Sequence, residues 1–308
     1  MQTRAADATG PAPLPHWPVG GVTVHRVDET PLPTETGRWL LPGATPDLVA
    51  RQDWLRPDFA DADGALRLSS HSFAFTVAGL RVVVDTGIGN GKPRANPAWH
   101  DLRTDYLQRL TAAGYHPDTV DLVILTHLHT DHVGWNTRGA NGTWVPTFPR
   151  ARYLVSRVER DFWASYDMDG PRRQMFRDSV EPVEEAGLLD LLDVPADGLD
   201  LAPGLRVLPT PGHTPGHLAV RVADGGATAL ITGDCVHHPV QLPHPDIGSC
   251  VDIDPGRAEE TRRALLASLA GTTTLLLGSH FPPPTAGRVD ARAGRYGLTP
   301  VPAHGRPS

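Results

Sequence analysis

The stretch LVILTHLHTDHVGW, residues 122 to 135, joins an unbroken apolar run to three histidines and an aspartate. An apolar run without polar alternation predicts a strand buried on both faces, which requires a sheet covered by other layers. The histidines then begin where that strand leaves the core. Strand alternation sends His127 and His129 to the same side and returns Leu128 to the core, so two imidazoles converge on one point. Asp131 and His132 follow as the chain turns into an expected helix, and they face a second point nearby. Chance alone would produce such a six-residue pattern with a probability on the order of a few in a thousand.

Other ligand-type side chains sit at the ends of other strand-like runs. His213 lies in PTPGHTPGH after GLRVLPT (204 to 210), Asp234 ends ATALITGD (227 to 234), and His280 ends TTTLLLGSH (272 to 280). A strand-to-loop junction is where a rigid scaffold can hold a metal ligand. His127, His129, Asp131, His132, His213, Asp234 and His280 are too many for one tetrahedral zinc and suit two metals sharing a carboxylate. Their nitrogen and oxygen donors favour Zn2+, with Mn, Fe or Co as alternatives.

Further runs predict strands at GVTVHRV (21 to 27), HSFAFTVAGLRVVVDTG (71 to 87, a hairpin turning at Ala78 and Gly79), ARYLVS (151 to 156) and HLAVRVA (217 to 223). WHDLRTDYLQRLTAAG spaces Leu102, Tyr106, Leu107 and Leu110 on one helical face and stops at Gly114. DPGRAEETRRALLASLAG reads as a helix with Asp254 as N-cap, Pro255 at the first position and Gly271 as the stop. The sequence from SRVERDFWASY through GLLDLL reads as a helical insertion at about 156–195, interrupted at Pro182. The order of strands, helix and histidine-tipped strand, followed by a second similar block, predicts an α/β protein. The expected organisation is a flexible arm at 1–20, one domain at 21–290 carrying the insertion, and a C-terminal tail at 291–308. Residues 38 to 67, rich in Pro, Asp and Gly, are expected to wrap the surface without regular structure.

The formal charge of −7 arises from 35 acids against 28 bases, with no basic run to follow a phosphate backbone, so nucleic acid is not expected as a partner. With only Cys235 and Cys250 the chain has no disulfide framework and no thiolate zinc ribbon. No stretch is long and apolar enough for a transmembrane helix, and the first twenty residues lack a signal-peptide core. The expectation is a cytoplasmic protein with a small-molecule substrate and no membrane partner. The insertion could form a homodimer surface.

VVVDTG, THLHTDHVG, PTPGHTPGH, ITGD and GSH occur in an order that resembles the metallo-β-lactamase superfamily across residues 22 to 289. The resemblance implies a four-layer αβ/βα sandwich with metals at the joint edge of its two sheets. It implies that His127, His129 and His213 hold one metal, that Asp131, His132 and His280 hold the other, and that Asp234 bridges them. Antibiotic-degrading members carry a cysteine at the position of Asp234; Cys235 is one residue out of register and should point away. Asp85 matches the family's loop-orienting aspartate, with a turn-capping role as the alternative. His217 should support its loop, and His237 and His238 are candidates for the pocket or for support of the ligands.

The expected chemistry is hydrolysis by a metal-bridging hydroxide, with Asp131 as ligand and proton acceptor. Glutathione thioester hydrolases of the superfamily carry a C-terminal helical domain, which the short stretch after His280 is not expected to supply, and the large inserted domain and basic surfaces of the nuclease branch are not expected here either. The chain has His129 where flavin-associated di-iron members have glutamate. In HSFAFTVAGLRVVVDTGIGN and GDCVHHPVQL, with an insertion of about fifty residues between the two halves, it resembles the compact branch of acyl-homoserine lactonases and methyl parathion hydrolase. A lactone or related carboxylic ester is the leading substrate class, followed by a phosphotriester, then a β-lactam or thioester. A non-catalytic metal-binding module ranks last. Phe162, Trp163, Tyr166, Met168, Met175 and Phe176 of the insertion, and Trp135 after the metal motif, either pack on the body or line an apolar slot.

Overall fold

The structure, a computed structural model, describes residues 14–292 and 294–305. In the first half, β1 (His16–Val19) and β2 (Val22–Pro31) precede α1 (Thr34–Leu40) and α2 (Pro46–Ala50). β3 (Ser69–Val77), β4 (Leu80–Val84), α3 (Tyr106–Ala112) and β5 (Leu122–Ile124) follow, then a small hairpin of β6 (Thr137–Ala140) and β7 (Thr143–Pro146). β8 (Arg152–Ser156), α4 (Arg157–Ser165), α5 (Gly170–Ser179), α6 (Glu181–Glu185) and β9 (Leu189–Leu192) complete it. The second half runs β10 (Leu199–Ala202), β11 (Leu205–Pro209), β12 (Leu218–Asp224), β13 (Ala227–Ile231), α7 (Pro255–Leu269), β14 (Leu275–Leu277), β15 (Ala286–Arg292) and β16 (Arg295–Pro300). Each half supplies one 7-stranded sheet, ordered β1-β2-β3-β4-β5-β8-β9 and β10-β11-β12-β13-β14-β15-β16.

Side-chain alternation makes the layers. Phe73, Phe75, Val82, Val84 and Ile124 face Val207, Val220, Ile231, Leu275 and Leu277 between the sheets. The intervening Ala74, Val83 and Val123 point outward to Tyr106 and Leu110 of α3 and to Trp163, Met175 and Phe176 of α4 and α5. On the other side Leu230 and Leu276 meet Leu265, Leu266 and Leu269 of α7. Two sheets with apolar side chains on both faces need a helical layer outside each, which gives the αβ/βα sandwich. The Ala78–Gly79 turn has φ of 50° and 80°, as a tight hairpin requires, and α7 starts where expected, with Asp254 accepting from the Arg257 N–H at 3.0 Å.

Several expectations change. The end of the expected 1–20 arm is strand β1: Trp17 is buried and its Nε1–H donates to Val301 O, while His16 and His304 exchange backbone bonds. Residues 1–13 lie outside the described residues. The expected tail at 291–308 instead contains β16, the edge strand paired to β15, and only residues 306–308 of it lie outside the described residues, with residue 293. Residues 38 to 67 include α2, capped by Thr45, and bury Leu41, Val49, Leu55 and Phe59 in the core beneath α7. GLLDLL, read as helix, is β9: Gly187 at φ 67° ends the helical turn and the next residues pair in parallel with β8. α3 covers only the second half of its expected span, and the chain after His132 makes a short 3-10 turn at Gly134–Asn136 in place of a helix.

Candidate metal centre

The site forms where β4, β5, β11, β13 and β14 all end at one edge shared by the two sheets. His127 to His132 follow β5, His213 lies in the β11–β12 loop, Asp234 in a turn after β13, and His280 just after β14. Gly134 lets this edge close, since a Cβ there would stand 1.9 Å from the Ile88 carbonyl carbon. Leu128 is buried in the core as expected, between two histidines that leave it.

All seven sequence-selected residues come together in two groups: His127, His129, His213 and Asp234 in one, Asp131, His132 and His280 in the other. Within each group the donor atoms lie within 4.8 Å of one another. Asp234 divides its carboxylate between them. Its Oδ2 is 3.5 Å from His213 Nε2 and 3.8 Å from His127 Nε2, while Oδ1 is 3.3 Å from His132 Nε2 and 3.1 Å from His280 Nε2. Asp131 Oδ2 stands 3.5 Å from His280 Nε2.

The opposite ring nitrogens are held from behind. His132 Nδ1 donates to Asp85 Oδ2 at 2.9 Å, His213 Nδ1 to Asp252 Oδ1 at 2.8 Å, and His280 Nδ1 to the Ser69 carbonyl at 3.0 Å. Each such bond fixes the tautomer with an Nε2 lone pair facing inward, the arrangement a metal ligand needs. Asp85, at φ 55°, also accepts from the Thr126 N–H and hydroxyl and so orients the loop that carries His127. His217 Nε2 accepts from the Asp234 N–H at 2.9 Å, which positions the dividing carboxylate.

This donor set fits a pair of divalent cations. His127 Nε2 and Asp234 Oδ1 are buried without a hydrogen-bond partner, and imidazole nitrogens face each other at 2.9 Å (His213 Nε2 and His129 Nδ1) and 3.2 Å (His132 and His280 Nε2). Burial, followed by neighbouring imidazoles, pushes His127 and His129 well below the usual histidine range. Burial alone would also lower His132 and His280, but the Asp234 carboxylate, with Asp85 and Asp131 beside His132 and Asp131 beside His280, raises both. Burial would raise Asp234, yet His132, His280 and His237 hold it well below the ordinary carboxylate range. A centre that keeps the buried Asp234 carboxylate ionised and lacks Lys or Arg among the donors suits cationic charge at the middle.

Some supporting residues carry no local signal. Asp252 reaches His213 from the loop before α7. Glu29 on β2 is buried and accepts from the N–H groups of Ile88 and Gly89, the Ser70 hydroxyl and Trp135 Nε1. Glu159 on α4 accepts from Leu128 N–H, Gly216 N–H and Trp163 Nε1, tying the His127 and His213 loops together. Neither glutamate stands out in the sequence, since Glu29 follows Asp28 in RVDET and Glu159 lies in the charged run RVERD. His237, buried, lies with its Nε2 3.2 Å from Asp234 Oδ2. His238 is structural: its Nε2 donates to Phe59 O and its Nδ1 accepts from the Val240 N–H. Cys235 packs into the core beneath α7, where burial pushes its thiol up to about 12.

A cavity of about 160 Å³ opens over His129, Asp131, Asp234 and His280. Its apolar walls come mainly from Leu32, Trp39, Leu40, Trp99 and Val251. Of the insertion residues named for an apolar slot, only Met175 reaches this cavity; Trp163, Tyr166, Met168 and Phe176 line a separate groove. Trp135 is a core residue stacked on Tyr106 at 5.5 Å.

Residues 65–280 match the family model of the metallo-beta-lactamase superfamily, and the chain belongs to that superfamily. Among its relatives, a Mycobacterium tuberculosis protein described as a probable metallo-hydrolase is 30% identical over 175 residues, covering 51% of this chain and 53% of the relative. The N-acyl homoserine lactonase AiiA of Bacillus thuringiensis subsp. kurstaki is 28% identical over 126 residues, covering 41% of this chain and 42% of the relative. The chain thus spans about half the length of these relatives. In three dimensions it is similar to the dizinc quorum-quenching lactonase AidC, with a TM-score of 0.74 at 21% identity over 94% of this chain and 98% of that one. It is also similar to the hydrolase AbOPH, with a TM-score of 0.75 at 25% identity over 95% and 99% of the two chains.

Proposed function

We propose that the protein is a dinuclear metal-dependent hydrolase of small lactones or related carboxylic esters. The observation that carries this reading is the divided carboxylate of Asp234, one oxygen turned to each of two histidine groups beneath an accessible cavity. His127, His129 and His213 would hold one ion, Asp131, His132 and His280 the other, and Asp234 both. When bound, such a pair acidifies water and polarises a carbonyl oxygen, with Zn2+ the ion favoured by this donor set.

The chain's own residues supply the rest. Asp85, Asp252 and the Ser69 carbonyl keep three imidazoles in one tautomer, so no reorganisation is needed when charge develops. Asp131 faces the cavity and is placed to take a proton on its carboxylate from the attacking water and return it to the leaving oxygen. Leu32, Leu40, Trp99 and Val251 exclude water from the apolar side of a substrate. Lactonase activity among relatives and the compact apolar cavity favour a lactone over a phosphotriester, the second reading.

The test combines metal counting with a hydrolysis panel of lactones, aryl esters, phosphotriesters, thioesters and a chromogenic β-lactam. Two metals per chain with turnover of lactones or esters supports the proposal. Two metals with no turnover across the panel would replace it by a metal-binding module.

A further inference from the structure

We infer that Arg172 forms an anion subsite at the mouth of the cavity and selects substrates that carry a carboxylate on a short apolar body. This rests on the hydrolase reading for the location of the reacting bond, but the subsite itself can be tested by binding alone.

Arg172 stands in the first turn of α5, where its N–H is fixed by the side chain of the N-cap Asp169 at 2.8 Å. Its guanidinium lies 4.8 Å from the centre of the Trp163 ring and 5.7 Å from that of Tyr166, and its side chain forms part of the cavity wall. These aromatic faces hold the cation in place without using its N–H donors in a carboxylate pair. Two neighbouring arginines of the insertion are paired, Arg173 with Asp167 and Arg160 with Glu184. Among the described residues, Arg172 makes no ion pair and no side-chain hydrogen bond.

The wall explains what this cation is for. Its only carboxylates are Asp131 and Asp234, both turned to the histidine groups. Once these are engaged there, no carboxylate among the described residues pairs with Arg172, and the cavity presents a permanent cation beside a centre made cationic by its ions. An anionic substrate group meets that charge, and a planar guanidinium matches a carboxylate through two parallel N–H bonds. Apart from Thr36, Thr130 and the two histidines the remaining wall is apolar, with Trp39 59% exposed at the rim, and so accepts a hydrocarbon or aromatic body between the two charges. The small volume favours a short body.

The experiment compares adipate with hexanoate by calorimetry on the metal-loaded full chain, and mono-4-nitrophenyl adipate with 4-nitrophenyl hexanoate by kcat/KM. Each pair differs by one distal carboxylate. The wild type should prefer the dicarboxylate or the charged ester by about tenfold or more, as a charge-assisted pair implies. Arg172→Met should collapse that ratio, Arg172→Lys should retain part of it, and Arg173→Met should leave it intact. Arg172→Gln serves should the methionine variant fold poorly. No preference in the wild type, or one that persists without Arg172, overturns the subsite. An Arg172-dependent binding preference with no ester hydrolysis would keep the subsite and remove the hydrolase reading.

Discussion

Asp252 Oδ1 accepts the His213 Nδ1–H at 2.8 Å across 39 residues of sequence, and this bond aims His213 Nε2 at the carboxylate of Asp234. The Asp252 side chain is buried and is held in turn by the Ser249 N–H. Replacing it by alanine frees the imidazole to rotate or change tautomer. Asp252→Ala should weaken the ion held by His127, His129 and His213 by about 10- to 100-fold, read by chelator competition, with the fold unchanged by circular dichroism. An unaltered affinity would show that His213 is positioned by packing alone.

Asp234 offers one oxygen to each histidine group, so its loss should disturb both ions. Asp234→Ala is expected to reduce metal content below two per chain and to abolish turnover. His127→Ala, which removes a donor of the first group alone, should release one ion preferentially. Elemental analysis of folded variants distinguishes them; equal stoichiometry in both would contradict a shared carboxylate.

Glu159 satisfies three buried donors from three segments: Leu128 N–H, Gly216 N–H and the Trp163 indole. Glu159→Ala leaves those donors unpaired and should destabilise the chain by about 3 kcal/mol or more in denaturant unfolding. Glu159→Gln retains acceptor capacity and should cost less. Gly216 closes on Glu159 so tightly that a Cβ would lie 2.2 Å from its nitrogen, so Gly216→Ala should be at least as damaging.

His238 predicts a pH effect away from the metal groups. Burial pushes its imidazole down to about 4 from 6.5, and its two nitrogens already serve Phe59 O and the Val240 N–H. The unfolded chain therefore takes up this proton first as pH falls. The His238 contribution is fully present above about pH 6.5 and diminishes down to about pH 4, by about 2 kcal/mol between pH 6.5 and 5. His71 and His217 are lowered by burial too and share this acid limb. In chelated protein, His238→Asn should make the loss of stability between pH 6.5 and 5 shallower; an identical slope would refute the assignment.

Residues whose role is set locally could be read from the chain. The apolar run into THLHTDH, the strand ends at Asp234 and His280 and the PTPGH loop pointed to the seven residues that the structure gathers into two groups, because strand alternation and strand termini are properties of a few successive residues. Asp254 and Pro255 marked the start of α7 for the same reason. The edge strands β1 and β16 were not legible, since the pairing of His16 with His304 joins the two ends of the described chain and exists only after folding. GLLDLL has the composition of either a helix or a strand, and only its parallel partner β8 decides between them. The tertiary structure likewise chose Asp252, Glu29 and Glu159 as supports, and placed Arg172 and Trp39 rather than the insertion's aromatics at the cavity. Local sequence specifies which atoms can bind a cation, whereas the direction of a lone pair and the owner of a cavity wall depend on segments that meet only when two sheets close on a shared edge.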